Sequence, residues 1–390
     1  MKNFTARVCK SLFTSLLVLP LLACESAAQT PAKLDTPERV ETYLKTQMGK
    51  GSQDVALAVY SVNEDGTLQT SEGFSYNAEA PMPLASTVKI VVLAAYAQAV
   101  AEGTLSPDEE VDVAAWEAYY LPLTDGGAHP AALESLGIAS DDLGFAQEGA
   151  AVRLDDIAGT MIVHSDNAGT DYLMDRLGDA ALTRVSEDNA LAQQDLPLSI
   201  LGMFLAWQNA ESPQLTLYPE GEFRAATERY KARYLEDAAW REAQLEWLGS
   251  LTAFPSSYGE QVEAYQSFTQ GSAEDYARIM GGVVTETFIS PEASRVMRRH
   301  LEWPMRSPGN QEVFETFGTK GGSLSGVLTE ALYLVPKTGD FAGEARVAVL
   351  FLNHLSEASF TDLSESFAQQ EMLINAALER AATKRLRVRE

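Results

Sequence analysis

The chain has 390 residues, enough for one large domain or two modest ones with a substantial buried core. Its composition, 46% hydrophobic and 22% charged, is that of an ordinary globular protein and excludes a wholly disordered, collagenous or polytopic membrane chain. Charge is the unusual feature: 55 acidic against 29 basic residues give a net charge of −26, which repels phosphate backbones and argues against nucleic acid as a partner, while two cysteines cannot build a disulfide framework.

Lys2, Arg7 and Lys10 make a basic start, and the apolar run from Leu12 to Leu22 is too short to span a bilayer, so residues 1–23 read as a secretory signal peptide. The run ends Leu21-Leu22-Ala23-Cys24, which resembles the bacterial lipobox. That resemblance implies an exported lipoprotein with a lipidated Cys24, a tether over 24–33, and, from Glu25 behind the cysteine, an outer-membrane anchor facing the periplasm. Removal of 1–23 would also take away Cys9 and three positive charges, deepening the net charge to −29. Thr36-Pro37-Glu38 supplies an N-cap, a first-turn proline and an acidic first turn, predicting a helix to about Met48. Residues 55–62 and 67–75 read as strands joined through Asp65-Gly66. Helical patterns fill the middle: 86–102, stopped by Gly103, and 154–177, interrupted by a polar cluster. Strands at 314–320, 327–335 and 345–352 follow. A helix over 361–382, with Leu363, Phe367, Met372, Leu373 and Leu378 as its apolar positions, closes the chain. The basic end (Lys384, Arg385, Arg387, Arg389) reads as a solvated helix terminus. This order predicts an α/β fold of the α+β type: an antiparallel five-stranded sheet flanked by terminal helices, plus an all-helical subdomain over about 86–300.

Four histidines (His129, His164, His300, His354) without paired spacing give no metal site, and neither a Walker loop, a GxGxxG turn nor a GxSxG elbow is present. No cofactor is implied. Ser86 and Lys89 stand three apart on a predicted helix, so the amine can reach the hydroxyl, provided that burial or a neighbouring cation keeps it from being an ordinary ammonium. Otherwise the pair is a helix cap followed by a surface lysine. Ser165-Asp166-Asn167 interrupts an apolar helix, either as a capping turn or as a polar site. Lys320-Gly321-Gly322-Ser323 ends a strand, where two glycines allow another molecule or chain to approach the backbone, or simply form a bulge.

In this order and on these elements, the three motifs resemble the SxxK, SDN and K-[ST]-G boxes of the serine β-lactamase and penicillin-binding protein superfamily, over roughly residues 34 to 383. Residues 157–178 look most like class A β-lactamases. The resemblance implies Ser86 as acylated nucleophile, Lys89 as its activating partner and Ser165 as proton relay to the leaving nitrogen. Asn167 would bind the substrate amide and Lys320 its carboxylate, Gly322 would allow close approach, and the backbone N–H groups of Ser86 and Ser323 would form an oxyanion hole. Asp166 is expected to be structural. Two departures stand out. Gly321 replaces the usual Thr or Ser, and no ExxLN glutamate follows SDN; Asp195, in Asp195-Leu196-Pro197-Leu198-Ser199, is the nearest candidate for a deacylating base. Residues 211–257, with Tyr218, Phe223, Tyr230, Tyr234, Trp240 and Trp247, read as a helical insertion that packs on the body or lines a substrate groove. The implied activity is a serine hydrolase opening β-lactam rings. The alternatives are a DD-carboxypeptidase or penicillin-binding enzyme on cell-wall peptides, and a non-catalytic lipoprotein that binds peptide or glycan.

Overall fold

The computed structural model describes residues 33–219, 221–251 and 254–387, so the expected signal peptide, Cys24 and nearly all of the tether lie outside the described residues, as does Arg389. Five strands form one antiparallel sheet in the order Leu68–Tyr76, Val55–Val62, Arg346–Leu352, Val327–Pro336, Phe314–Leu324. The sequence placed each strand, but the last-named edge strand runs four residues past the expected end at 320 and takes Gly321, Gly322 and Ser323 into the ladder opposite Glu330, Thr329 and Leu328.

Near-continuous apolar runs mark strands covered on both faces, and both faces are covered here. Leu57, Val59, Leu332, Leu334, Leu350 and Leu352 point into a core shared with the helix Pro37–Gly49 and the C-terminal helices. Ala58, Tyr60, Ala331, Tyr333, Val349 and Phe351 face a larger core built with the helical lobe. There the ring of Tyr276, on helix Ala273–Val284, meets Phe351 edge-on at 5.6 Å. Short strands Pro81–Pro83 and Gln270–Ser272 pair antiparallel and lead the chain from the sheet into the lobe.

Three expectations need correction. The helix expected over 86–102 begins as a 3-10 turn, Ala85–Val88, before regular helix over Lys89–Ala101. The single closing helix is three: Glu357–Ser366, Ala368–Leu378 and Arg380–Leu386. It breaks at Phe367, which is left-handed (φ 57°) and 38% exposed rather than a core position, and again at extended Glu379, where Arg380 N–H donates to Asp340 across the fold. The basic end is not wholly solvated either: Arg385 pairs with Glu41 at 3.0 Å and Arg387 donates to the Gly73 carbonyl.

Residues 211–257 carry two helices, Phe223–Glu236 and Ala238–Ser250, turned by the N-cap Asp237. Tyr234, Trp240 and Leu248 bury against Leu121, Leu201 and Leu205 in a small separate core, and Trp207 stacks on Phe223. Helix Ile200–Trp207 underlies this layer. Its first N–H groups are capped from another element: Asp171, on helix Asn167–Leu177, accepts from Ile200 at 2.9 Å and from Leu201 at 2.6 Å. Asp171→Ala should leave both buried donors unpaired and cost about 1–3 kcal/mol, read as a lower denaturation midpoint, with Asp171→Asn costing less. Equal midpoints for Asp171→Ala and wild type would contradict this.

Candidate active site

The chain enters the Ser86 turn through Ala85, a non-glycine residue at φ 45°, a conformation that costs on the order of 1–3 kcal/mol and persists only when its surroundings impose it. Those surroundings are the Leu84 backbone: its N–H donates to Thr269 O, and its carbonyl accepts from Thr87 Oγ1 and Thr329 Oγ1. In a 3-10 turn residues i and i+3 eclipse, so Lys89 falls directly in line with Ser86. Lys89 is fully buried, with Nζ 3.1 Å from Ser86 Oγ, 2.6 Å from Ser165 O, 3.1 Å from Ser165 Oγ and 2.7 Å from Asn167 Oδ1. Burial holds its pKa well below the ordinary lysine value, and the Lys320 charge lowers it further against the opposing pull of Asp166, Asp125 and Asp171. A neutral amine has two donors and one lone pair. The two short contacts are to carbonyl oxygens that can only accept, which leaves the lone pair for a hydroxyl.

Ser165 is also left-handed, at φ 64°, between two helices. Asp166 caps the second of them through Ala168 and Gly169 N–H and also accepts from the Trp116 indole and His129 Nδ1, the structural part expected of it. Asn167 then opens the helix with its amide oxygen on Lys89.

Lys320 reaches Ser165 Oγ at 3.0 Å and the Gly321 carbonyl at 2.6 Å, and burial pushes its pKa down to about 8 although Glu330 pulls upward. Gly322 is required by proximity: a Cβ there would meet Ser86 N at 2.4 Å and Thr87 N at 2.9 Å, so the strand can lie along the Ser86 turn only without a side chain. Gly321 has a different reason. Its Cβ would stand 2.8 Å from Oε2 of Glu330, its ladder partner, a buried carboxyl that Thr319 Oγ1 also bonds and that burial holds above the usual carboxylate range. Ser323 is exposed at the end of this track.

The fold therefore brings Ser86, Lys89, Ser165, Asn167, Lys320, Gly322 and the Ser323 strand end together. Asp195 makes no hydrogen bond to any of them among the described residues. It is exposed, its N–H and one carboxylate oxygen are both taken by the Gln270 backbone at 3.0 Å, and among the described residues no carboxylate is hydrogen-bonded to Ser86 or Lys89.

Sequence reasoning missed the group below the SDN turn. His129 is fully buried, 3.0 Å from Asp166 Oδ1 and 3.5 Å from Glu117 Oε1, between the rings of Trp116 and Tyr120. Burial alone would lower its pKa, but the Asp166 charge and the bonds to Asp166 and Glu117 outweigh it and push it up to about 9. Nothing local marks this role, since Asp166 is 37 residues away and His129 stands among Ala128, Ala132 and Leu133, as a core histidine would. A raised histidine pKa gives stability that is complete below the unfolded value of about 6.5 and disappears as pH rises through about 9. Thermal denaturation from pH 6 to 10 should therefore show wild type losing stability relative to His129→Gln across that window. A constant difference between the two proteins would contradict a buried imidazolium.

Solved structures with this fold include a β-lactamase from Chitinophaga pinensis (13% identity, TM-score 0.51, covering 86% of this chain and 99% of that one). A β-lactamase from Sphaerobacter thermophilus matches at 19% identity and TM-score 0.47 (85% and 96%), and a point mutant of PBP-A in an acyl-enzyme complex with penicillin G at 16% and 0.44 (86% and 96%). None of the curated proteins matches significantly. The model of the β-lactamase enzyme family matches residues 40–345, which hold the Ser86 turn, the SDN turn and the Lys320 strand. With the five-stranded antiparallel sheet and helical lobe in place around those elements, the chain belongs to the β-lactamase enzyme family.

Proposed function

We propose that the protein is a serine hydrolase that opens β-lactam rings through an ester on Ser86, with release of the acyl group as its slow step. The observation that carries this reading is the buried Lys89 amine, 3.1 Å from Ser86 Oγ and paired with no carboxylate among the described residues. In acylation Ser86 Oγ attacks the lactam carbonyl and Lys89 Nζ takes its proton. Negative charge develops on the carbonyl oxygen, to which the N–H groups of Ser86 and Ser323 are assigned as donors. The C–N bond breaks, and the nitrogen takes a proton from Ser165 Oγ, which recovers one from the Lys89 ammonium 3.1 Å away. Lys320 receives the substrate carboxylate and Asn167 its amide. Water then cleaves the ester.

Slow release is the part that Asp195 bears on. One oxygen of its carboxylate is engaged by the Gln270 N–H, and among the described residues it makes no hydrogen bond to Ser86 or Lys89. The same observation favours a second reading, a DD-carboxypeptidase or penicillin-binding enzyme acting on cell-wall peptides, which shares the acylation chemistry. In either case a lipid anchor at Cys24 would place the site in the periplasm.

Intact mass spectrometry of the mature protein mixed with a chromogenic cephalosporin should show a stoichiometric adduct that Ser86→Ala lacks, with turnover slower than adduct formation. Absence of both adduct and turnover would sink the proposal. Asp195→Asn should leave the adduct's lifetime unchanged, and a much longer lifetime would make Asp195 the base after all. Because Lys320 loses its charge as pH rises through about 8, kcat/KM for carboxylate-bearing β-lactams should fall above that pH; a flat profile to pH 10 would remove Lys320 from carboxylate binding.

A further inference from the structure

The two N–H groups assigned to the oxyanion, those of Ser86 and Ser323, belong to segments far apart in the chain, and one short helix fastens both segments from behind. Helix Tyr258–Tyr265 follows the 211–257 layer. Its start is fixed by a reciprocal box: Ser257 Oγ accepts from the Glu260 N–H, and the Glu260 carboxylate accepts from the Ser257 N–H at 2.8 Å.

The helix meets the turn that ends the Lys320 strand. Gln261 Oε1 accepts from Ser325 Oγ at 2.7 Å, two residues beyond Ser323, while Gln261 Nε2 donates to Ser256 O and Oγ, both at 3.2 Å. Both ends of that amide are therefore engaged. Beside it Gly326, at φ 79°, comes so close to the helix that a Cβ there would stand 2.7 Å from Val262 Cγ2. Gln266, just past the helix, exchanges two bonds with Asn353 at 3.0 and 2.8 Å, and Tyr258 Oη donates to the Leu355 carbonyl at 3.0 Å. Leu355 N–H in turn donates to the Gly326 carbonyl at 3.0 Å. Turns at a sheet edge are ordinarily mobile, and this one is held at Ser325 and at Gly326.

The chain leaving the helix fastens the other donor. Gln270 Nε2 bonds back to the Gln266 carbonyl at 3.1 Å, and Gln270 pairs with Pro83 in the short ladder. Thr269 O accepts from the Leu84 N–H at 3.0 Å, which holds the residue whose carbonyl anchors the Ser86 turn. An oxyanion is stabilised only where both donors stand about 2.7–3.1 Å from the place it will occupy, and a misplacement of about 1 Å costs on the order of a hundredfold.

We propose that helix Tyr258–Tyr265 sets the spacing of the Ser86 and Ser323 N–H groups, with Gln261 as the positioning residue that holds the strand end. The inference rests on the reading of Ser86 as an acylated nucleophile, and it gives the reaction a determinant that lies outside the three boxes.

The test follows acylation by a chromogenic cephalosporin in stopped flow, which separates the saturating rate from the half-saturating concentration. Gln261→Ala should lower the saturating rate by about tenfold and leave the half-saturating concentration unchanged. Ser325→Ala should do the same, and the double variant should be no slower than either single one, because both remove the same bond. Gln261→Glu, which keeps an acceptor for Ser325, should recover most of the rate. In parallel, hydrogen exchange of residues 320–328, read by mass spectrometry without any substrate, should quicken in Gln261→Ala and in Ser325→Ala but not in Gln261→Glu, while exchange over 154–177 stays as in wild type. If the cephalosporin acylates no form of the protein, the hydrolase reading fails and the exchange measurement alone judges the helix. Unchanged saturating rates in both single variants, a loss confined to the half-saturating concentration, additive losses in the double variant, or unchanged exchange over 320–328 would each overturn the inference.

Discussion

Lys89 is where the molecule's separate parts are forced to agree. Its side chain has no contact with solvent, and its amine touches the nucleophile turn at Ser86 and the SDN turn at Ser165 and Asn167 while Lys320 approaches from the edge strand. An ammonium in that place would need a counter-charge, and among the described residues no carboxylate is bonded to it, so burial drives it toward the neutral amine. The nearby charges are disposed consistently with that. Asp166 would draw a proton onto Lys89, but its carboxylate accepts four hydrogen bonds, one from a His129 imidazole whose pKa is raised to about 9. The negative charge below the SDN turn is thereby answered locally, and Lys320 on the other side pushes in the opposite direction.

Holding three chain segments around one amine demands backbone conformations that the residues would not choose. Ala85 and Ser165 are both left-handed and both sit beside groups that contact Lys89. Neither is a glycine, so each is maintained by fixed neighbours: the Leu84 bonds to Thr269, Thr87 and Thr329 in one case, the Asp166 cap in the other. The sheet supplies the third constraint, since Gly322 leaves the edge strand in van der Waals contact with the Ser86 backbone. The negative surface and the cationic centre are compatible, because two buried amines set the local field whatever the remote charges do.

Much of this was legible in the sequence. The five strands were marked by strand-like runs bounded by turn residues, and their antiparallel arrangement followed from short connections, whereas the pairing of Val55–Val62 with Arg346–Leu352 joins distant segments that the sequence does not link. The three boxes could be placed on their elements because serine, lysine and glycine act there through local spacing. What stayed hidden depends on distant partners. His129 looks like any core histidine until Asp166 arrives beneath it. Gly321 looks like a lost hydroxyl until Glu330 is seen filling its place from the neighbouring strand. The breaks at Phe367 and Glu379 interrupt a pattern that is helical throughout, and Asp340, which caps the second, lies forty residues upstream of Arg380. Asp195 is offered by a local motif, and its bonds to the Gln270 backbone depend on a partner 75 residues away that the motif does not show.

The central claim is that burial and Lys320 hold the pKa of Lys89 well below the ordinary lysine value beside Ser86. An NMR titration of isotope-labelled lysine side chains, with the Lys89 signal assigned by its loss in Lys89→Arg, measures this directly. The account predicts that Lys89 titrates far below the ordinary value of 10.5 and that Lys320→Ala moves its pKa upward. A Lys89 that titrates near 10.5 and does not respond to Lys320→Ala would contradict it.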